Sequence, residues 1–151
     1  MALEARRVVT GYDANGRAVV KIDDVPVTRS NRPGHEAFVA WTSQGYPVDN
    51  DGDEDAARRE VGSTLTDGTV FRVISYGPGV APRNHRTSSL DYAVVMSGEI
   101  DMELGDSVVH LRAGDVLVQR GTVHNWVNNG TEPCVIAFVL IDAKPVLAAE
   151  G

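Results

Sequence analysis

The sequence predicts an all-β fold, a barrel or sandwich built from short antiparallel strands. From residue 69 onwards, short segments rich in Val and Ile recur at even spacing along the chain. Each segment is bounded by a turn signal such as Gly77-Pro78-Gly79 or Asn129-Gly130. No helix-length periodic segment separates them, which argues against parallel βαβ units and favours an antiparallel sandwich or barrel.

The first part of the chain is polar and punctuated by Gly, Pro and Asn. It contains two strand candidates, Arg17–Asp23 and Glu36–Thr42, and one helical turn at Ala56–Glu60. We therefore expect residues 1–66 to form a less regular extension that packs on the barrel.

The second part carries the barrel strands, which are short and end at glycine-containing turns. In chain order, the predicted strands are Thr69–Gly77, Asp91–Ser97, Glu99–Leu104, Ser107–Leu111, Asp115–Arg120, His124–Asn128 and Cys134–Ile141. We expect residues 67–145 to form the barrel and residues 146–151 a short tail, within one structural domain.

The composition narrows the classes of partner. The chain has 151 residues, a formal net charge of -7 and a pI of about 5.0, so nucleic acid and anionic membrane surfaces are unfavourable partners. The single cysteine, Cys134, lies in an apolar run and is expected to be a buried hydrophobe. The N-terminal residues lack an apolar secretion signal, and the longest apolar run is far too short to span a membrane. A cytoplasmic location is therefore expected.

A first motif runs from residue 79 to residue 98. Gly79 is followed, at fixed spacing, by His85, Thr87, Asp91 and Gly98. This pattern resembles the first cupin motif, G-x5-H-x-H-x3,4-E-x6-G. Asp91 stands at the place of the family's Glu, and Thr87 stands at the place of its second His.

A second motif follows. Gly114 opens it, and His124 and Asn128 close it with the spacing H-x3-N. The segment resembles the second cupin motif, G-x5-P-x-G-x2-H-x3-N, although it is one residue short and Arg120 stands where the family has Pro. The two motifs in this order resemble the cupin superfamily, which implies a double-stranded β-helix, or jelly-roll barrel.

The resemblance implies a site made of His85, Asp91 and His124. In many cupins these places bind Fe, Mn, Ni or Zn, and two His with one carboxylate suit Fe(II). Three interpretations remain open at this stage. The cluster is a divalent metal site, a metal-free pocket with His acid–base chemistry, or a set of polar core residues without function.

Four further residues are candidates for substrate binding. Alternate residues of a strand share a face, so Thr87 is expected beside His85. Arg120 can pair with a substrate carboxylate, although a surface ion pair is the alternative. Tyr92 and Trp126 line a pocket or pack the core.

Other polar residues receive plainer predictions. His35 is predicted to lie in a loop, and His110 is predicted to be exposed on its strand. The acidic segment Asp49–Glu60 lacks the glycine that an EF-hand loop requires, so no calcium site is expected there.

Two functions from different classes remain. The first is an enzyme that decarboxylates, isomerises, cyclises or oxygenates an organic acid, a phenolic or a polyketide-like compound; His85, Asp91 and His124 favour it. The second is a non-catalytic ligand-binding or sensor protein with a degenerate metal site, which Thr87 favours. Small cupins commonly pair or exchange N-terminal strands, so a homodimer is also expected.

Overall fold

The computed structural model describes residues 3–147, whose regular secondary structure is almost entirely β-strand, as the sequence predicts. In chain order these are β1 Arg7–Tyr12, β2 Ala18–Asp24, β3 Arg29–Arg32, β4 His35–Gln44, β5 Gly68–Tyr76, β6 Ser89–Ser97, β7 Glu99–Leu104, β8 Ser107–Arg112, β9 Val116–Arg120, β10 Asn125–Val127 and β11 Cys134–Asp142. The predicted helical turn is a short 3-10 helix, Ala56–Arg58. None of the helical structure in residues 3–147 has the length and apolarity needed to cross a bilayer.

Two antiparallel sheets enclose one core. The larger sheet has the strand order β3-β4-β5-β11-β6-β9, and the smaller has the order β10-β7-β8. Buried side chains from both sheets form a single cluster, which includes Ile74, Val95, Met102 and Ile136. The face of the larger sheet that contacts this cluster is called the inner face below. Cys134 also belongs to this buried cluster, and burial raises the pKa of its thiol to about 11.

The N-terminal region is more regular than the sequence predicts. Strand β4 pairs with β5 over its whole length, from His35 opposite Tyr76 to Gln44 opposite Gly68. Residues 35–44 are therefore part of the barrel sheet and not of an irregular extension. Strands β1 and β3 were not predicted, because their sequences are polar and do not show a clear apolar alternation.

The β1–β2 hairpin is attached to the outer side of the barrel. Its Arg7 forms ion pairs with Asp24 at 2.8 Å and with Asp55 at 2.9 Å. The hydrogen bonds from Arg7 lower the pKa of both carboxyl groups. A second apolar cluster lies beside it, on the outer side of β4 and β5, and comprises Leu3, Phe38, Ala40 and Val73.

Gly98 joins β6 to β7 in a tight turn. Its φ is +74°, and a Cβ built there would lie 2.3 Å from the carbonyl oxygen of Pro133. Only glycine accepts this conformation and this approach without strain. Gly98, the last residue of the first motif, is therefore required by the backbone conformation and not by a role in the site.

Candidate functional site

His85 and His124 lie side by side although they are far apart in the sequence. The two residues form an isolated antiparallel bridge, in which each backbone N–H donates to the carbonyl of the other, at 3.1 and 3.0 Å. Their imidazole ring centroids are 4.8 Å apart. The main chain thus places two imidazoles at one site.

Hydrogen bonds fix the orientation of both rings. The Nδ1 atom of His85 lies 3.2 Å from the carbonyl oxygen of Arg83, and that of His124 lies 2.9 Å from the carbonyl oxygen of Thr122. A carbonyl oxygen can only accept, so each Nδ1 carries the proton and each Nε2 keeps its lone pair. Burial, followed by the charge of Arg83, lowers the pKa of His85, which is therefore neutral at pH 7.

A line of hydroxyl groups leads to the buried carboxyl group of Asp91. The Thr87 and Ser89 hydroxyl oxygens lie 2.7 Å apart, and the Ser89 hydroxyl donates to Asp91 at 2.6 Å. Burial raises the pKa of Asp91, although the Ser89 hydrogen bond and the nearby His124 oppose this change. One hydroxyl group, that of Ser89, therefore connects Thr87 to the Asp91 carboxyl group.

The residues present do not complete a metal site. Nitrogen ligands bind a metal at about 2.1 Å, and two imidazoles as close as those of His85 and His124 can share one ion. However, no three side chains of His, Cys, Asp or Glu within residues 3–147 are placed to hold one ion together, so Asp91 does not supply a third ligand. Catalytic metal sites use three protein ligands. The described residues therefore bring two imidazoles, and no third ligand of these four types, to this place.

An aromatic wall borders the two histidines. The Trp126 ring contacts His124 edge-on at 5.9 Å, stacks on Tyr76 at 5.6 Å and meets Phe138 edge-on at 6.0 Å. All these aromatic side chains are buried. They belong to the core cluster, which therefore extends as far as His124.

The other two predicted binding residues lie elsewhere. Asp91 and Gln119 are opposite each other in the sheet and both point to the inner face. Their neighbours Tyr92 and Arg120 therefore point outwards, because alternate strand residues face opposite sides. Tyr92 is 49% exposed on an outer apolar patch with Val94 and other side chains. The structure therefore brings Thr87 and Trp126 to the site, but not Tyr92 or Arg120.

The prediction for His35 was wrong. His35 is the first residue of β4, lies buried opposite Tyr76 and contacts its ring edge-on at 5.8 Å. Burial, followed by nearby arginine charges, lowers its pKa to about 4. His110, in contrast, is exposed as predicted and pairs with Asp101 at 2.6 Å.

Arg72 was not among the candidate site residues predicted from the sequence. It lies on β5 between Val70 and Ile74, whose side chains are buried on the inner face. The alternation of the segment Thr69–Tyr76 could have revealed it, because a residue two positions from each of two buried ones shares their face.

Comparison with known proteins agrees with this geometry. Residues 72–141 match the sequence model of the family described as "Cupin domain". The cupin-domain-containing oxidoreductase fogC of Aspergillus ruber is 36% identical over 93% of this chain and 73% of its own length. The chain is a cupin. The cupin-domain-containing oxidoreductase virC of Hypocrea virens is 34% identical over 93% of this chain and 77% of its own length, and the phomopsin biosynthesis cluster protein C' of Diaporthe leptostromiformis is 37% identical over 93% and 79%.

Solved structures share the fold of this cupin. The Cupin 2 conserved barrel domain protein from Salinispora arenicola has a TM-score of 0.52 at 18% identity, over 81% of this chain and 90% of that one. AerE from Microcystis aeruginosa has a TM-score of 0.54 at 21% identity, over 79% and 46%.

The last residue of the second cupin motif has a structural role in this cupin. The buried amide of Asn128 donates to the carbonyl oxygens of Tyr76 and Glu132, both at 2.9 Å, and accepts from the N–H of Gly130 at 2.9 Å. These hydrogen bonds of Asn128 connect the turn after β10 to the end of β5. Asn128 therefore keeps Tyr76 in place beside Trp126.

Proposed function

We propose that this cupin is a small-molecule enzyme of a biosynthetic pathway, and that His85 is its general base. The observation that carries this proposal is the pair of imidazoles, each with its Nδ1 held by a carbonyl and its Nε2 free. His85 is half-buried and its pKa is lowered, so it is neutral and able to accept a proton at pH 7.

The step that these residues can supply is proton transfer at a carbon next to a carbonyl group. The Nε2 of His85 takes the proton of the C–H bond, and the electron pair of that bond forms an enolate. The imidazolium then delivers that proton to another position of the enolate, which gives an isomerisation, or it first exchanges the proton with solvent and delivers the solvent proton to the same carbon, which gives an exchange. Neither reaction needs an oxidant. The Trp126 wall packs the apolar part of the substrate beside the reacting carbon.

The experiment that tests this proposal follows deuterium exchange into phenylpyruvate, an aromatic 2-oxo acid, in D2O. Proton NMR should show loss of the benzylic proton signal faster with the protein than without it. His85→Gln should remove most of the acceleration, because a positioned base contributes on the order of 10² to 10⁴ in rate. Arg86→Gln is the matched control, because it changes the exposed neighbour. If the wild type accelerates exchange no more than buffer does, the non-catalytic ligand-binding alternative is supported instead.

A second candidate is oxidation of a small molecule. It is favoured by the similarity to the relatives from Aspergillus ruber and Hypocrea virens, which are named cupin-domain-containing oxidoreductases. An oxidoreductase of this kind would consume dioxygen or another oxidant together with its substrate. Elemental analysis of protein purified without an affinity tag or chelator, combined with oxygen uptake in the presence of phenolic acids, distinguishes it from the isomerase.

A further inference from the structure

Three arginines, Arg32, Arg72 and Arg83, have no acidic partner within the described residues. The ion pairs found within residues 3–147 involve other basic residues, and none includes Arg32, Arg72 or Arg83. The chain as a whole carries 21 Asp and Glu against 14 Lys and Arg. Among residues 3–147, exposed arginines such as Arg86 also lack an acidic partner, but Arg32 and Arg72 are partly buried, and burial lowers the pKa of both. A partly buried guanidinium group without a carboxylate beside it favours an anion supplied from outside.

The strand register brings these charges together. Arg32 lies directly opposite His35, and His35 lies directly opposite Tyr76. Residues directly opposite in a sheet share a face, so the three form a row across β3, β4 and β5. The row is on the inner face, because Tyr76 stacks on Trp126 there. Arg72 is on the same face of β5, since it lies an even number of residues from Tyr76.

The polar atoms around this row are incompletely satisfied. His35 is only 7% exposed, and its Nδ1 has no hydrogen-bond partner in the described part of the chain. The buried Nε of Arg72 is likewise without a partner there. A buried donor without a partner costs free energy that a ligand can recover. The Nε of Arg32 donates to the carbonyl oxygen of Ala81 at 3.1 Å, which places Arg32 beside the segment that carries Arg83. The guanidinium group of Arg72 also donates to the carbonyl oxygen of Gly62. The charges of all three arginines lower the pKa of His35.

The cluster is connected to the two histidines of the site. The carbonyl oxygen of Arg83 holds the Nδ1 of His85 at 3.2 Å. The backbone N–H of Arg83 donates to the Asn125 side chain at 2.9 Å, which fixes this segment next to β10. On the other side, Tyr76 stacks on Trp126, which contacts His124. The arginine cluster and the imidazoles are therefore linked in two ways, through the backbone of Arg83 and through the contacts from Tyr76 to Trp126 to His124.

We propose that Arg32, Arg72 and Arg83, together with His35, form a subsite for the carboxylate of an organic anion. The inference rests on the proposed function, since it places the anionic end of the substrate while the imidazoles act on the adjoining carbon. Guanidinium groups bind carboxylates through two parallel hydrogen bonds, which fixes the orientation as well as the charge. An aryl or alkyl group attached to the carboxylate would lie against the aromatic wall formed by Tyr76 and Trp126.

Calorimetric titration with benzoate, and with its neutral analogue benzamide, tests this subsite. Benzoate should bind the wild type at least tenfold more tightly than benzamide. Arg83→Gln and Arg32→Gln should each weaken benzoate at least tenfold and leave benzamide unchanged. Arg83 is exposed, so its variant should fold normally. Arg86→Gln, which removes one exposed charge from the same segment, is the control and should bind benzoate as the wild type does.

Several outcomes would overturn the subsite. Benzoate that fails to bind, that binds no better than benzamide, or that loses equal affinity in Arg83→Gln and Arg86→Gln would each do so. The variant His85→Gln separates this inference from the proposed function. If it keeps benzoate binding and loses deuterium exchange, both stand. If exchange survives in His85→Gln while Arg83→Gln weakens benzoate, the base is misassigned and the subsite remains.

Discussion

His85 and His124 are joined by two backbone hydrogen bonds, of 3.1 and 3.0 Å, that hold their imidazoles 4.8 Å apart between centroids. The pairing is made by the main chain, so a change of either side chain leaves the bridge in place. Substitutions at these positions therefore report on the imidazoles and not on the fold. The rings are oriented by carbonyl groups from their own segments, which occupy the Nδ1 atom of each ring and not its Nε2 atom.

A third imidazole should turn this pair into a metal site. Thr87 lies two residues after His85, and its hydroxyl meets that of Ser89 on the line leading to Asp91. Thr87→His would supply the ligand that the residues present do not provide, because first-row divalent metals favour imidazole over hydroxyl. We expect Ni(II) to bind this variant at least tenfold more tightly than the wild type by calorimetry, which is about 1.4 kcal/mol.

The control for the metal experiment is Arg86→His, which adds an imidazole one residue away on an exposed position. It should bind Ni(II) no better than the wild type. The Thr87→His protein should also gain thermal stability with added Ni(II), because a ligand of the folded state stabilises it by mass action. A folded Thr87→His protein without this gain would mean that residue 87 does not face the histidine pair.

The carboxyl group of Asp91 should reduce stability at neutral pH. Burial raises its pKa in the folded protein, so the charged form is disfavoured there, and the folded state loses stability as the pH rises through the titration of this group. Asp91→Asn keeps an acceptor for the Ser89 hydroxyl without the charge. We expect this variant to be more stable than the wild type at pH 7 in urea unfolding, with a difference that shrinks towards pH 4. A constant difference at all pH values would contradict the assignment.

Gly98 should tolerate no side chain. Its φ of +74° and the carbonyl oxygen of Pro133, 2.3 Å from a built Cβ, both oppose alanine. We expect Gly98→Ala to lower the free energy of unfolding by about 2–4 kcal/mol, measured by urea denaturation. Gly105→Ala is the matched control, because nothing lies within 4 Å of a Cβ there. Equal effects of the two substitutions would show that the turn at Gly98 can relax.

His35 should make the protein acid-sensitive. Its pKa is lowered from 6.5 to about 4 in the folded protein, so between these values the unfolded state binds the proton and the folded state does not. Stability due to this group is therefore present above pH 6.5 and is lost as the pH falls towards 4, by about 3 kcal/mol in total. His35→Phe should flatten this part of the curve of unfolding free energy against pH. Parallel curves for the two proteins would contradict the burial of a neutral His35.

The sequence predicted the barrel strands well, because Val-rich segments between glycine turns are a local signal. It predicted less of the site. Tyr92 points outwards because its neighbour Asp91 points to the inner face. The inward direction of Asp91 is established by its pairing with the buried Gln119 in the sheet, which the sequence does not give. The cluster of arginines depends on the register of β3, β4 and β5. Pairing between strands cannot be predicted from the residues around Arg32 in the sequence. The expected homodimer stays a prediction.

The most direct test of the central claim is the pH dependence of deuterium exchange into phenylpyruvate, measured as kcat/KM for the wild type and for His85→Gln. A neutral base with a lowered pKa predicts a rate that rises with pH through an inflection below pH 6.5 and then levels off. His85→Gln should remove both the acceleration and the inflection. A wild-type rate that keeps rising in proportion to hydroxide, or an inflection that survives in His85→Gln, would contradict the assignment of His85 as the base.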